Sequence, residues 1–190
     1  MTDKKKIEAS IKSILEALGE DPNRPGLIDT PERVANLYTE LFSGLKRDPA
    51  KELTTVFKED ANELIVLKNL PFNSLCEHHL LPFDGTVTVG YVSNQLIAGI
   101  GTIARSIEIL SRKPQMQERL TKQISDLLEN ILKPTGVGIV IEAKHLCMTI
   151  NDPKTNDSKL VTTCFSGSLK DTTHYREEFL KLIGKETLDE

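Results

Sequence analysis

The chain has 190 residues, 38% of them hydrophobic and 27% charged, with no tryptophan; this length and mix suit one soluble domain with a real core. Its 24 basic and 28 acidic residues leave a net charge of −4, which argues against a chain-wide nucleic-acid surface. No apolar run is long enough to span a bilayer, and three cysteines behind a lysine-rich start with no apolar signal segment read as reduced thiols in a cytoplasmic protein.

Ile7, Ile11, Ile14, Leu15 and Leu18 recur at helical spacing, and Gly19 ends that helix. After a Pro- and Gly-rich loop, Thr30-Pro31 starts a second helix with Val34, Leu37, Tyr38, Leu41 and Phe42 on one face, ending near Gly44. From about Glu63 the period changes: "ELIVLKNLPF" is rich in strand formers. "GTVTVGYV" alternates, with Val87, Val89 and Tyr91 on one face, and "QLIAGI" returns after a Ser93-Asn94 turn, so a hairpin is expected there. Helices are expected over 101–112 and 115–132, the second with Met116, Leu120, Ile124, Leu127, Leu128 and Ile131 on one side. Strands follow at Val137–Ile150 and in "LVTTCFSGSL", separated by a polar loop, and 172–183 is again helical. The expected class is α+β: an antiparallel sheet carrying two helices on one face, preceded by an N-terminal helical region. The division is an N-terminal helical region over 1–60 and a catalytic region over 61–190, forming one compact domain overall.

Three of the seven cysteines and histidines crowd into "SLCEHHLLPFDG", Ser74 to Gly85. Cys76 and His79 are three apart, a spacing that one turn can bring onto a single ion. His145-Leu146-Cys147 adds a second thiol and a third imidazole; in a strand, positions two apart share a face. The economical assembly is Cys76, His79 and Cys147 on a zinc ion, with His78 and His145 close but unbound. Three protein ligands leave a fourth position for water, whose pKa zinc lowers to roughly 7, and two free imidazoles could move protons beside it. The competing arrangement is a closed four-ligand site that uses both His78 and His79. Cys164, among apolar and small neighbours, reads as a core thiol.

"RPGLIDTPERVANLYTELFSG", "SLCEHHLLPFDG", "QMQERLTKQI" and "GVGIVIEAKHLCMTI", in that order, resemble the GTP cyclohydrolase I family over about residues 7–150. The resemblance implies zinc on Cys76, His79 and Cys147, acid–base roles for His78 and His145, and a guanine edge held by Gln117 and Glu118. The implied reaction is hydrolysis of the guanine imidazole ring of GTP. Water adds at C8, a histidine such as His145 protonates the purine nitrogen as the ring opens, and C8 leaves as formate. Ribose rearrangement then gives 7,8-dihydroneopterin triphosphate, on the pterin and tetrahydrofolate route. The implied fold is the tunnelling fold, with active sites between the subunits of a homo-oligomer, typically a decamer of two pentamers.

The chain departs from the family pattern at the triphosphate. Gly101 and Thr102 stand where a serine and a lysine are expected, while Arg105 is kept; Asn151 and Asp152 replace an arginine and a glycine. Each lost cation forfeits a charged hydrogen bond of roughly 1.5–3 kcal/mol. The alternatives are therefore a divergent cyclohydrolase acting on a related purine without the triphosphate, or a non-catalytic pterin-binding or regulatory ring protein.

Overall fold

The computed structural model describes residues 2–59, 62–150, 157–171 and 173–184, and divides into two compact units, 1–43 and 44–190. In the first, α1 (Lys4–Ala17) packs on α2 (Thr30–Leu41). Asp3 caps α1 by accepting from the Lys6 N–H at 3.0 Å, which satisfies one of the amides the first turn leaves without a partner. Pro31 falls in the first turn of α2, where its missing N–H costs nothing.

The second unit contains, in chain order, β1 (Val56–Lys58), β2 (Leu64–Cys76), β3 (Pro82–Val92), β4 (Leu96–Ala98), α3 (Ile100–Ser111), β5 (Pro114–Gln115), α4 (Gln117–Leu132), β6 (Gly136–His145), α5 (Leu146–Thr149), β7 (Leu160–Gly167), α6 (Ser168–Asp171) and α7 (Thr173–Leu182). The main sheet has the order β5-β2-β3-β6-β7 and is antiparallel except for the short parallel pairing of β5 with β2.

The hairpin expected at Ser93-Asn94 does not form. Both edges of β3 are taken, by β2 and β6, so the 96–98 segment turns away and pairs with Val56–Lys58. The tight hairpin is instead β2–β3, closed by residues 77–81. The strand expected through Ile150 also stops early: β6 ends at His145, and the next four residues form the helical turn α5.

Period-two alternation builds the core. Val87, Val89 and Tyr91 of β3 and Val137, Ile139 and Ile141 of β6 point to one face, where Ile103 and Ile107 of α3 and Leu120, Ile124 and Leu128 of α4 cover them. This is the expected α+β arrangement of an antiparallel sheet with two helices on one face. The opposite face is also covered: Phe179 of α7 packs with Val92 and Val140. Gly90 makes that possible, since a Cβ there would come within 2.5 Å of the Phe179 ring. Among the described residues, no helix is long and apolar enough to cross a membrane.

Candidate metal centre and active site

The β2–β3 loop is wound tightly. The Cys76 N–H donates to Leu81 O at 2.9 Å, the Leu80 N–H to Cys76 O at 2.8 Å, and the Glu77 N–H to Gln115 O at 3.1 Å. Closing so short a loop puts Leu80 at a φ of 54°, a left-handed conformation that costs a side-chain-bearing residue about 1–2 kcal/mol. Beneath the loop, the Ser74 hydroxyl donates to Ser111 O at 2.7 Å, and the Gln115 amide donates to Leu110 O at 3.0 Å and to Gln123 Oε1 at 2.9 Å. These bonds tie the end of β2 to the connection between α3 and α4. Cys76 is buried under the loop, while His78 and His79 are exposed on it.

Glu77 reaches across to α4, where Arg119 donates to its two carboxylate oxygens at 2.5 and 3.0 Å. That fork of hydrogen bonds holds the Glu77 carboxyl below the usual carboxylate range. Glu77 thereby anchors the β2–β3 loop to α4.

Cys76 Sγ, a ring nitrogen of His79 and Cys147 Sγ all lie within 4.8 Å of one another, a group that can hold a metal ion. A tetrahedral zinc with bonds of 2.0–2.3 Å separates its ligand atoms by roughly 3.3–3.8 Å, so small side-chain movements close the site. Cys76 Sγ is 3.9 Å from His79 Nδ1 and 3.7 Å from His78 Nδ1. His78 is thus the nearer imidazole to one thiol, but among the described residues it is His79 that groups with both thiols. Burial raises the Cys147 thiol pKa, and the neighbouring Cys76 thiol adds to the effect; two thiolates this close need a cation between them. The sulfur- and imidazole-rich donor set fits zinc chemistry better than that of a hard oxygen-binding cation. Cys147 arrives from the turn α5 rather than from a strand face.

His145, the last residue of β6, pairs with Phe83 across the ladder and stacks on its ring, with centroids 4.5 Å apart and planes 7° from parallel. Burial pushes the His145 pKa down, while the Glu118 carboxylate pulls the other way. Gln117 opens α4 beside it, 1% exposed, with its Oε1 2.9 Å from His145 Nε2. The structure thus gathers Cys76, His79 and Cys147 in one group with His78 alongside, and His145, Gln117 and Glu118 in another.

Arg105 is not in either group. It lies on α3, 3.5 Å from Glu52, and lines a cavity of about 700 Å³ with Phe72, Asp84, Glu108 and Arg112. Thr102 is buried, and its hydroxyl donates to Gly99 O at 2.6 Å in the first turn of α3. Gly101 is exposed, and a Cβ there would lie 3.3 Å from Arg105 Nη1. Asn151 and Asp152 lie outside the described residues. Sequence reasoning missed the internal engagement of Gln117 and the Glu77–Arg119 fork. The signal for the first was available: Gln117 shares the helical phase of Leu120, Thr121, Ile124 and Leu128, the buried face of α4.

The GTP cyclohydrolase I family model matches residues 7–184. The GTP cyclohydrolase 1 of Streptococcus mutans is 47% identical over 184 residues, covering 96% of each chain. That of Streptococcus agalactiae serotype V is 47% identical over 186 residues, 97% of this chain and 100% of the relative. Among solved structures, the apo archaeosine synthase QueF-Like matches 55% of this chain and 93% of its own, at 15% identity and a TM-score of 0.45. A match of this extent to the family model, with relatives near half identity along almost their whole length, makes this chain a member of the GTP cyclohydrolase I family.

Proposed function

We propose that this chain is a zinc-dependent GTP cyclohydrolase I, which hydrolyses the guanine imidazole ring of GTP to 7,8-dihydroneopterin triphosphate and formate. The observation that carries this is the group of two thiols and one imidazole, Cys76 at the end of β2, His79 on the β2–β3 loop and Cys147 on α5, within 4.8 Å of one another, with His78 Nδ1 3.7 Å from Cys76 Sγ. Zinc bound there supplies a Lewis acid that makes water nucleophilic near pH 7. His145, whose pKa burial lowers, takes up a proton in the attack and delivers it to the purine nitrogen as the C8–N bond breaks. His78, exposed on the loop, is the second proton carrier. The exposed Glu118 carboxylate accepts from the guanine ring N–H and exocyclic amine together. Arg105 contacts phosphate.

We further propose that the active chain is a homo-oligomer, a decamer of two pentamers, working in the cytoplasm. Leu80 and Met148, close to the ligands, are 43% and 48% exposed, as are Leu146 and Ile150 in similar measure. Apolar groups around a catalytic site favour cover by another copy. Arg105, on a different cavity from the ligand loop, also favours a site built from more than one copy.

A second reading, a purine substrate with fewer phosphates, is favoured by one observation: Thr102 replaces a cation and is turned inward onto Gly99 O. Formate release by zinc-loaded protein from GTP, GMP, guanosine and guanine separates the two. A strong preference for GTP retains the first reading; equal or better use of guanosine replaces it with the second. No formate from any of the four would remove the catalytic assignment.

A further inference from the structure

The Gln117 amide has one possible orientation. Its Nε2 lies 3.1 Å from Ile141 O, 3.0 Å from Leu160 O and 3.0 Å from Thr162 Oγ1. Carbonyl oxygens only accept, so the group facing them must be the NH₂. Turned over, the amide would press Oε1 against two carbonyls at a residue that is 1% exposed, leaving buried polar atoms unpaired.

The neighbouring hydroxyl protons agree. Thr121 gives its single proton to Gln117 O at 2.7 Å. The 2.7 Å contact between Thr121 and Thr162 therefore takes its proton from Thr162, whose oxygen keeps lone pairs for Gln117 Nε2. The Gln117 NH₂ therefore faces acceptors only, and Gln117 Oε1 is left as an acceptor. Its partner at 2.9 Å is His145 Nε2, which must carry a hydrogen.

A neutral imidazole has one N–H and one lone pair, and the bond made by one nitrogen decides which is which. The Phe83 stack holds the ring plane, while the Gln117 bond holds the ring's rotation and its proton. We propose that Gln117 is a positioning residue that fixes His145 as the Nε2–H tautomer and leaves Nδ1 as the ring's one lone pair. This rests on the proton-transfer role given to His145 above, and adds which nitrogen serves it and what sets that choice. Gln117 acts through His145, from inside the fold.

The test uses the full-length, zinc-loaded protein with ¹⁵N-labelled histidine, read by solid-state NMR. The chain has only four histidines, and His145→Ala identifies the His145 signals by difference. A protonated Nε2 with a bare Nδ1 is expected; a protonated Nδ1 overturns the proposal without any Gln117 variant. In Gln117→Leu the His145 signals should become a mixture of tautomers, with zinc still at one per chain. Its kcat should fall about ten- to a hundredfold, as for loss of other groups that orient a catalytic side chain, while KM stays within about threefold. An unchanged tautomer in that variant, or a KM rise larger than the kcat loss, overturns the proposal, the latter by making Gln117 a substrate contact. Should His145→Ala retain turnover, the proton-transfer role falls, and the wild-type spectrum still decides the tautomer.

Discussion

Replacing Cys147 with alanine separates the metal assignment from the fold. Structural zinc sites with four protein ligands bind with about 10–16 kcal/mol, or roughly 2.5–4 kcal/mol per ligand. The group here has three, Cys76, His79 and Cys147, so removing one should weaken zinc binding by about 10²–10³. The packing cost is small, because Cys147 is only partly buried at the edge of the core. Losing its sulfur costs about 1 kcal/mol, a shift of about 2–4 °C in melting temperature for a chain this long. The assay is zinc content after competition with a chelator of known affinity, beside a thermal melt of the metal-free protein. Cys164→Ala is the control: Cys164 lies on β7 against the core, outside the ligand group, and the variant should keep one zinc per chain. Wild-type zinc affinity in Cys147→Ala, or loss of zinc in Cys164→Ala, would refute the reasoning.

His145→Ala should keep its zinc and lose formate release by about 10²–10⁴; turnover near the wild-type rate would show that proton transfer runs through another group. Zinc binding should weaken as pH falls, because the metal displaces the proton of a thiol whose pKa is raised; about tenfold per pH unit is expected for each proton displaced, and a flat profile between pH 6 and 8 counts against thiolate ligands. Thr102→Lys restores one cation of the family pattern, at the loss of the bond to Gly99 O. It should raise the preference for GTP over guanosine by roughly ten- to a hundredfold, and no change would mean that phosphate is held elsewhere. Gly90→Ala drives a methyl into the Phe179 ring and should destabilise the second unit by about 1–3 kcal/mol in a denaturant melt.

Periodicity located the elements and failed at their partners. The apolar face of α4 and the alternation of β3 were legible because burial on one side imposes a period that neighbours cannot alter. The pairing of "QLIAGI" was not, because alternation says that a strand has a buried face without saying which edge is vacant. β2 runs for 13 residues, longer than its strand-forming stretch implies, through an irregularity between Leu67 and Leu70 and through Pro71. A proline and a break in register both argue against a strand interior, yet the ladder resumes and fills the β3 edge. The two-residue spacing of His145 and Cys147 brought Cys147 to the right group by the wrong route: the strand ends at His145, and the helical turn α5 delivers the thiol.

The division of labour between neighbours at the site follows from the same physics. "CEHHLL" is a turn, so its side chains fan out: Cys76 downward, His78 and His79 outward, Glu77 across to Arg119. Gln117 and Glu118 are adjacent on a helix, where successive side chains are about 100° apart. One therefore faces the core while the other faces solvent. A motif match gives both the same role at the guanine edge, but a buried amide whose NH₂ is surrounded by three acceptors, Ile141 O, Leu160 O and Thr162 Oγ1, has only its oxygen left to offer. Helical phase thus leaves Glu118 facing solvent and turns Gln117 toward His145, a distinction residue identity alone does not make.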